Sequence, residues 1–407
     1  MHPSVGEENG KPTKGWLKAI IASIGVFVFT LIINMPYGTE FAALYGLVPA
    51  LCTFALLRAK RITKLRRTIY FIFTFILWFG FDLMAIHERG SLVLPADMFE
   101  RNDVVVLPCP AAISMIFFGW IIHGQEVFVP GTKVIYPTTY DLFLCVFVIT
   151  LIQGFLLGRG WCGWSCLFGG FVEACASGKS YGKSVRWRMD RIMKKPEEKA
   201  DEKTKEKLAG LLGVREEVRD IKWGFLLVIC LLSAVMLRPV FCEICPSRVW
   251  NDYPNPAWGY YFWGSMTTIF VLFAVFWVVL PFLSRKKLWC HSICPLGAFF
   301  GLLGIVSPFQ VKIDKEKCNE CLQCVRVCKD YAMTYERVMG SGRAALECTR
   351  CGRCMDACAK DAIGFYLRGT SRRVRSWFIP LSIAFMFLWL SVFVWAIVTI
   401  LPAMLGF

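Results

Sequence analysis

Long apolar stretches, almost free of charge, recur along the chain at roughly Ala19–Tyr37, Phe41–Leu57, Thr68–Ile86, Leu142–Gly158, Trp223–Leu237, Tyr260–Ser284 and Phe378–Leu401. Crossing the hydrocarbon core takes about 20 residues, or a few fewer where flanking Lys or Arg can snorkel. The pattern therefore predicts an all-α polytopic membrane protein of about seven transmembrane helices, the fifth being a short one between Lys222 and Arg238. Two shorter apolar runs, Ala111–Ile122 and Pro295–Pro308, have the length of re-entrant or interfacial helices. Three parts follow: a membrane portion over 1–310 with a charged loop at 179–222, a small cysteine-rich α+β segment over 311–368, and a C-terminal transmembrane helix over 369–407.

Composition agrees with the pattern. Of 407 residues 56% are apolar and 15% aromatic, which excludes a disordered chain and an ordinary soluble enzyme. The net charge of +16 would suit a nucleic-acid binder, but the positions of the charges suggest another cause. With the N-terminus inside, 41 of the 46 Lys and Arg fall on inner segments, leaving Arg89, Arg101, Lys133, Arg238 and Arg248 outside. Basic residues accumulate on the cytoplasmic side and contact anionic lipid. The expected protein sits in the cell membrane with its N-terminus and the cysteine-rich segment cytoplasmic and its C-terminus outside. The first span has no evident cleavage site and reads as retained. The loop at 179–222 alternates Lys and Glu as a solvated helix does. Docking of an acidic electron-transfer partner is the other reading.

Nineteen cysteines in a chain this long read as metal ligands rather than disulfide staples. Two runs carry the strongest signal: Cys318-x2-Cys321-x2-Cys324-x3-Cys328 and Cys348-x2-Cys351-x2-Cys354-x3-Cys358. Soft thiolates at this spacing suit iron–sulfur cubanes, and in two-cluster ferredoxins the fourth cysteine of each run serves the other cluster. One [4Fe–4S] cluster is expected on Cys318, Cys321, Cys324 and Cys358, and a second on Cys348, Cys351, Cys354 and Cys328. Zinc is the alternative, but its structural sites use pairs of cysteines rather than runs of four. A segment this small buries little apolar surface, so its clusters should supply much of its folding energy.

Three shorter pairs lie beside span ends: Cys162-x3-Cys166, Cys242-x2-Cys245 and Cys290-x3-Cys294. The first and third form an internal repeat, with Trp161/Trp289, both cysteines, Gly169/Gly297 and Phe171/Phe299 standing at one constant offset. Repeats often bring equivalent motifs together. Cys162, Cys166, Cys290 and Cys294 are candidates for a shared metal or redox-active thiol site under the membrane surface, the alternative being small residues at tight helix starts. Cys242 and Cys245 are expected on the opposite face near Cys109, where they form a disulfide, hold a metal, or do neither. Cys52, Cys145 and Cys230 stand alone inside apolar spans, where cysteine packs as a small hydrophobe; Cys175 stays unassigned.

From about Leu142 to Ile363 the chain resembles the polyferredoxin-type membrane proteins related to NapH and to the C-terminal half of NosR. Cys290–Cys294–Pro295 fits their C-x3-C-P motif, whereas Leu167 replaces the proline after Cys166, and Lys329 and Ala359 replace the prolines usual after ferredoxin runs. The resemblance implies electron exchange between the quinone pool and redox proteins, as in a quinol dehydrogenase-type oxidoreductase subunit within a larger complex. With only four histidines and no haem-attachment motif, a multi-haem protein is excluded. His291 lies inside a cysteine motif, where it ligates or tunes. Asp82, His87 and His123 are candidates to take up protons released by quinol, against a reading as interfacial residues reached by water. Two other functions fit the same residues. One is a metal-ion or corrinoid reductase, which outer-face Cys109, Cys242 and Cys245 would favour. The other is a redox-sensing regulatory subunit.

Overall fold

The computed structural model describes residues 12–59, 61–90, 127–128, 135–136, 140–177, 221–232, 235, 241, 245–246, 270–284 and 286–405. Helices α1 (Pro12–Asn34) and α2 (Thr39–Arg58) form an antiparallel hairpin. Its tight turn uses Pro36 and Gly38, the latter at a φ of 111° that disfavours any side chain. The hairpin's outward positions, among them Ile20, Ile21, Ile24, Ile32, Leu44 and Leu51, are exposed and apolar all along. Such a surface is stable against lipid rather than water. α3 (Ile62–Gly90) and the C-terminal helix (Arg375–Leu405) complete this group. The C-terminal helix is its axis, with Phe378, Ile379, Ile383, Met386, Phe387 and Leu390 fully buried.

Among the described residues two helices, Gly15–Tyr37 and Thr39–Arg58, are long and apolar enough to cross a membrane. A third joins them if the C-terminal helix, bent by 46° near Ser391, is one span. The seven expected spans are thus met in part. Helices Ile221–Leu232 and Phe270–Ser284 and the apolar piece Val148–Leu157 are shorter than a full crossing.

The remaining elements are β1 (Val127–Phe128) and β2 (Ile135–Tyr136), α4 (Tyr140–Leu157), α5 (Gly160–Trp164), α6 (Leu167–Cys175), α7 (Ile221–Leu232), α8 (Phe270–Ser284) and α9 (Pro295–Leu303). Then come β3 (Phe309–Ile313), α10 (Gln323–Val327), α11 (Tyr335–Met339), α12 (Arg353–Asp356), β4 (Ile363–Leu367) and α13, the C-terminal helix. β3 and β4 pair antiparallel with Val311 opposite Phe365, and so enclose both ferredoxin-like runs between two strands.

This segment does not hang free. Phe378 of α13 packs on Phe309 of β3, Phe365 of β4 and Trp164 of α5, joining strands and helices in one core. The Trp164 indole donates to the Arg350 carbonyl at 2.7 Å, and the Arg350 guanidinium donates to the Leu157 carbonyl. Asp356 of α12 accepts from the Ile62 and Thr63 amides at 3.2 and 2.9 Å, capping α3 from another element.

Candidate metal centre and its buried charges

In the ferredoxin-like segment one constant offset carries Cys318 onto Cys348 and each later cysteine of the first run onto its counterpart in the second, and the backbone repeats with them. Left-handed φ values occur at Glu320 and Arg350, at Leu322 and Gly352, and at Tyr331 and Asp361, each pair separated by that same offset. At Glu320 and Arg350 the backbone N–H then points back at a thiol, with 3.4 Å from each amide to Cys318 and Cys348 sulfur respectively. Turned-in amides of this kind favour anionic sulfur.

The thiols gather into groups. Cys324 lies within the field of Cys321, Cys318 and Cys358. Cys354 lies within that of Cys348, Cys351 and Cys328, as well as the more remote Cys324. The fourth cysteine of each run thus lies in the field of the third cysteine of the other. Among the described residues no three His, Cys, Asp or Glu converge as a single ion requires. A single zinc needs ligand atoms within about 2.3 Å of one point, whereas the thiolates of a cubane bind at separate corners.

The two C-x3-C motifs also meet. Cys166 lies in the field of Cys162 and Cys290, and Cys294 in that of Cys290 and Cys162. Their repeat is structural as well as sequential: Cys166 and Cys294 are the N-caps of α6 and α9, each nine residues long. In both halves a glycine, Gly169 or Gly297, sits where a Cβ would strike the carbonyl of the first cysteine, Cys162 or Cys290. Its amide faces the second thiol, at 3.3 Å from Gly169 to Cys166 sulfur. A helix N-terminus favours the thiolate. Burial opposes it and pushes the Cys290 thiol up to about 12, although Lys287 and Arg159 pull it down.

Cys245 changes sides. It packs with Phe241, Trp289, Cys290 and Cys294 in one apolar cluster and lies in the field of Cys294. The expected placement on the opposite face does not hold for it. Its neighbours Phe241 and Trp289 hold it in the same cluster as the second C-x3-C motif. Cys109, Cys242 and His123 lie outside the described residues. Asp82 and His87 are on α3. His291 is buried against Tyr331, and burial lowers its imidazole to about 3, leaving it neutral. Cys52 is half-buried in α2 against the core.

Between the membrane-surface motifs and the nearer ferredoxin-like quartet lies a set of buried charges. Glu173 of α6, fully buried, accepts from Arg66 of α3 at 2.5 Å and from Arg353 of α12 at 3.1 Å. Lys287 pairs with Asp330 at 3.0 Å, and Asp330 also accepts from the Thr349 hydroxyl at 2.7 Å. Lys222 pairs with Glu347 at 2.8 Å. Burial alone would raise the Asp330 carboxyl, but Lys287 and Arg159 outweigh it and hold it below the usual range. Burial likewise opposes Glu347, and Lys222 lowers it.

The network is not neutral. Arg66, Arg159, Lys222, Lys287, Lys329 and Arg350 are buried cations, and Glu173, Asp330 and Glu347 the buried carboxylates among the described residues. Burial neutralises Lys329, lowering it to about 6, yet an excess of positive charge remains. Uncompensated charge in a low-dielectric interior is costly. Cubanes on four thiolates are anionic, and Arg66 and Lys287 both lie in the field of Cys351, so the residues fit such groups.

Nothing local in the sequence marks these charges as functional, since the basic ones also read as orientation signals and the acidic ones as loop residues. One signal was available: Arg159 and Lys287 stand at the offset that relates the two C-x3-C motifs, each one helical turn before the first cysteine of its motif.

Comparison with known proteins falls on the same regions. A family described as 4Fe–4S binding domain matches residues 138–183 and 266–313. Each matched stretch contains one C-x3-C pair, and neither reaches the ferredoxin-like runs that begin at Cys318. The ferredoxin-type protein NapH of Haemophilus influenzae is 31% identical over 39% of this chain and 55% of its own length. The chain thus spans about half of that relative. An uncharacterized protein of Methanocaldococcus jannaschii is 26% identical over 54% of this chain and 76% of its own. The regulatory protein NosR of Stutzerimonas stutzeri is 27% identical over 54% of this chain and 28% of its own. No solved structure matches significantly. The chain carries two segments of a 4Fe–4S binding domain and is distantly similar to the ferredoxin-type proteins NapH and MauN and to the regulatory protein NosR.

Proposed function

We propose that this protein is a membrane-bound iron–sulfur electron-transfer protein, of quinol dehydrogenase type, which exchanges electrons between the quinone pool and a redox partner. The observation that carries the reading is the succession of neighbouring thiols from the ferredoxin-like runs to the C-x3-C motifs. We read it as three quartets, the first being Cys318, Cys321, Cys324 and Cys358. Cys348, Cys351, Cys354 and Cys328 follow, and then Cys162, Cys166, Cys290 and Cys294 beside the apolar helices. Lys287 stands between the last two, in the field of both Cys351 and Cys290. When bound, [4Fe–4S] clusters would supply one-electron steps at each quartet. The chain's own residues supply thiolates, turned-in amides at Glu320, Arg350 and Gly169, buried cations, and exclusion of water.

Basic residues concentrated on the segments flanking these motifs support a cytoplasmic position for the ferredoxin-like segment and for the N-terminus. Asp82 and His87 on α3 and His123 are the proton acceptors of this reading. The metal-reductase alternative loses its spatial argument, since Cys245 keeps company with Cys294. The test is quinol addition to anaerobic proteoliposomes holding the oxidised protein. The reading expects the visible absorbance of the clusters to bleach. Bleaching by dithionite and never by quinol would contradict it.

A further inference from the structure

Arg159, like Lys329 and Arg350 among the buried cations, pairs directly with none of the described carboxylates. Its side chain is 1% exposed. From Nη2 it donates to the Cys290 carbonyl at 2.7 Å, while the buried Nε and Nη1 meet no oxygen or nitrogen acceptor and the guanidinium lies beside the Cys162 thiol. Three glycines of α9 and its end, Gly297, Gly301 and Gly304, sit one turn apart along it. A Cβ at each would lie 3.6 Å from Nη2, 3.5 Å from Cδ and 3.7 Å from the Arg159 backbone nitrogen. The helix thus offers a groove without side chains in which the guanidinium is held from one half of the repeat against the other. The strongest charges it meets are Cys162, Asp330, Glu347 and Cys290, in that order. Lys287, its equivalent in the second half of the repeat, differs: Asp330 and Glu173 offset its charge.

A buried guanidinium with two nitrogens that face only thiols is expensive to keep unless something anionic accepts from it. A group on Cys162, Cys166, Cys290 and Cys294 gains negative charge when it gains an electron. A fixed cation beside it in a low dielectric favours that reduced form. The geometry points to Arg159 as the positioning residue that raises the reduction potential of the group held by these four thiols, making this quartet the electron-accepting end of the series.

This rests on the reading of that quartet as a cluster site. The test is potentiometric titration of the anaerobically purified full chain, followed by electron paramagnetic resonance, with iron counted in parallel. Arg159→Gln keeps its iron, and the reduction equilibrium of the membrane-surface signal falls at least tenfold, about 59 mV for one electron. The two ferredoxin-like signals stay in place. Arg159→Lys keeps the charge and loses the planar fork, so its fall is about threefold. An unmoved midpoint in Arg159→Gln, or an equal shift of all three signals, overturns the inference. If Arg159→Gln sheds the third signal, Arg159→Lys decides: a lowered midpoint supports the role, and an unmoved midpoint or a second loss of signal overturns it. Absence of any third signal in the unaltered protein is a distinct result, which overturns the cluster reading and this inference together.

Discussion

The ferredoxin-like segment and the membrane-surface quartet are both internal repeats, yet they assemble in opposite ways. In the segment, eight thiols lie within Cys318 to Cys358, and local backbone geometry, left-handed at Glu320 and Arg350, aims the chain at them. At the membrane surface Cys162 and Cys166 come from one half of the repeat and Cys290 and Cys294 from the other, far along the chain, and they meet because α6 and α9 are packed by the bundle. The first quartets depend on local spacing, and the last depends on long-range packing and on buried charge.

That contrast can be broken by experiment. The largest effect is expected from Cys348→Ser with Cys354→Ser. Removing two ligands strips the quartet that ties the segment to the membrane portion, so the full chain should fail to accumulate in membranes. Normal yield with only that iron missing would show that the interface folds without its cluster. Glu173→Gln should come next, because it leaves the buried Arg66 and the half-buried Arg353 without their shared carboxylate. Breaking a buried pair costs about 3–5 kcal/mol, read as a lower melting temperature in detergent. Cys290→Ser should be milder for the fold and selective for metal: iron falls by about four per chain while the ferredoxin-like signals persist.

The smallest effect is on pH. Glu173, Asp330 and Glu347 are held below the ordinary carboxylate range by their cations, although burial opposes this. The stability they contribute is complete above about pH 4, the unfolded value, and is lost as pH falls further towards their native values. The difference in melting temperature between the unaltered protein and Glu173→Gln should therefore be constant from neutral pH down to about 4 and narrow below it.

What could be read from the sequence follows the same division. The two ferredoxin-like runs were legible because each is a short, regular spacing of cysteines. The longer repeat was legible from Trp161, Trp289 and the cysteines. Arg159 and Lys287 share its offset, but a basic residue beside a span also reads as a topology signal, and only burial separates the two meanings. The position of Cys245 was not legible, since it depends on long-range packing with Phe241 and Trp289. Nor was the docking of the segment, which rests on contacts such as Trp164 with Arg350 that no local pattern encodes.

The most direct test of three quartets in one core is the count of iron and acid-labile sulfide in anaerobically purified protein. About twelve of each per chain is the expected result, from three cubanes. About eight would remove the membrane-surface quartet from the account, and a folded, metal-free protein that still transfers electrons would contradict it altogether.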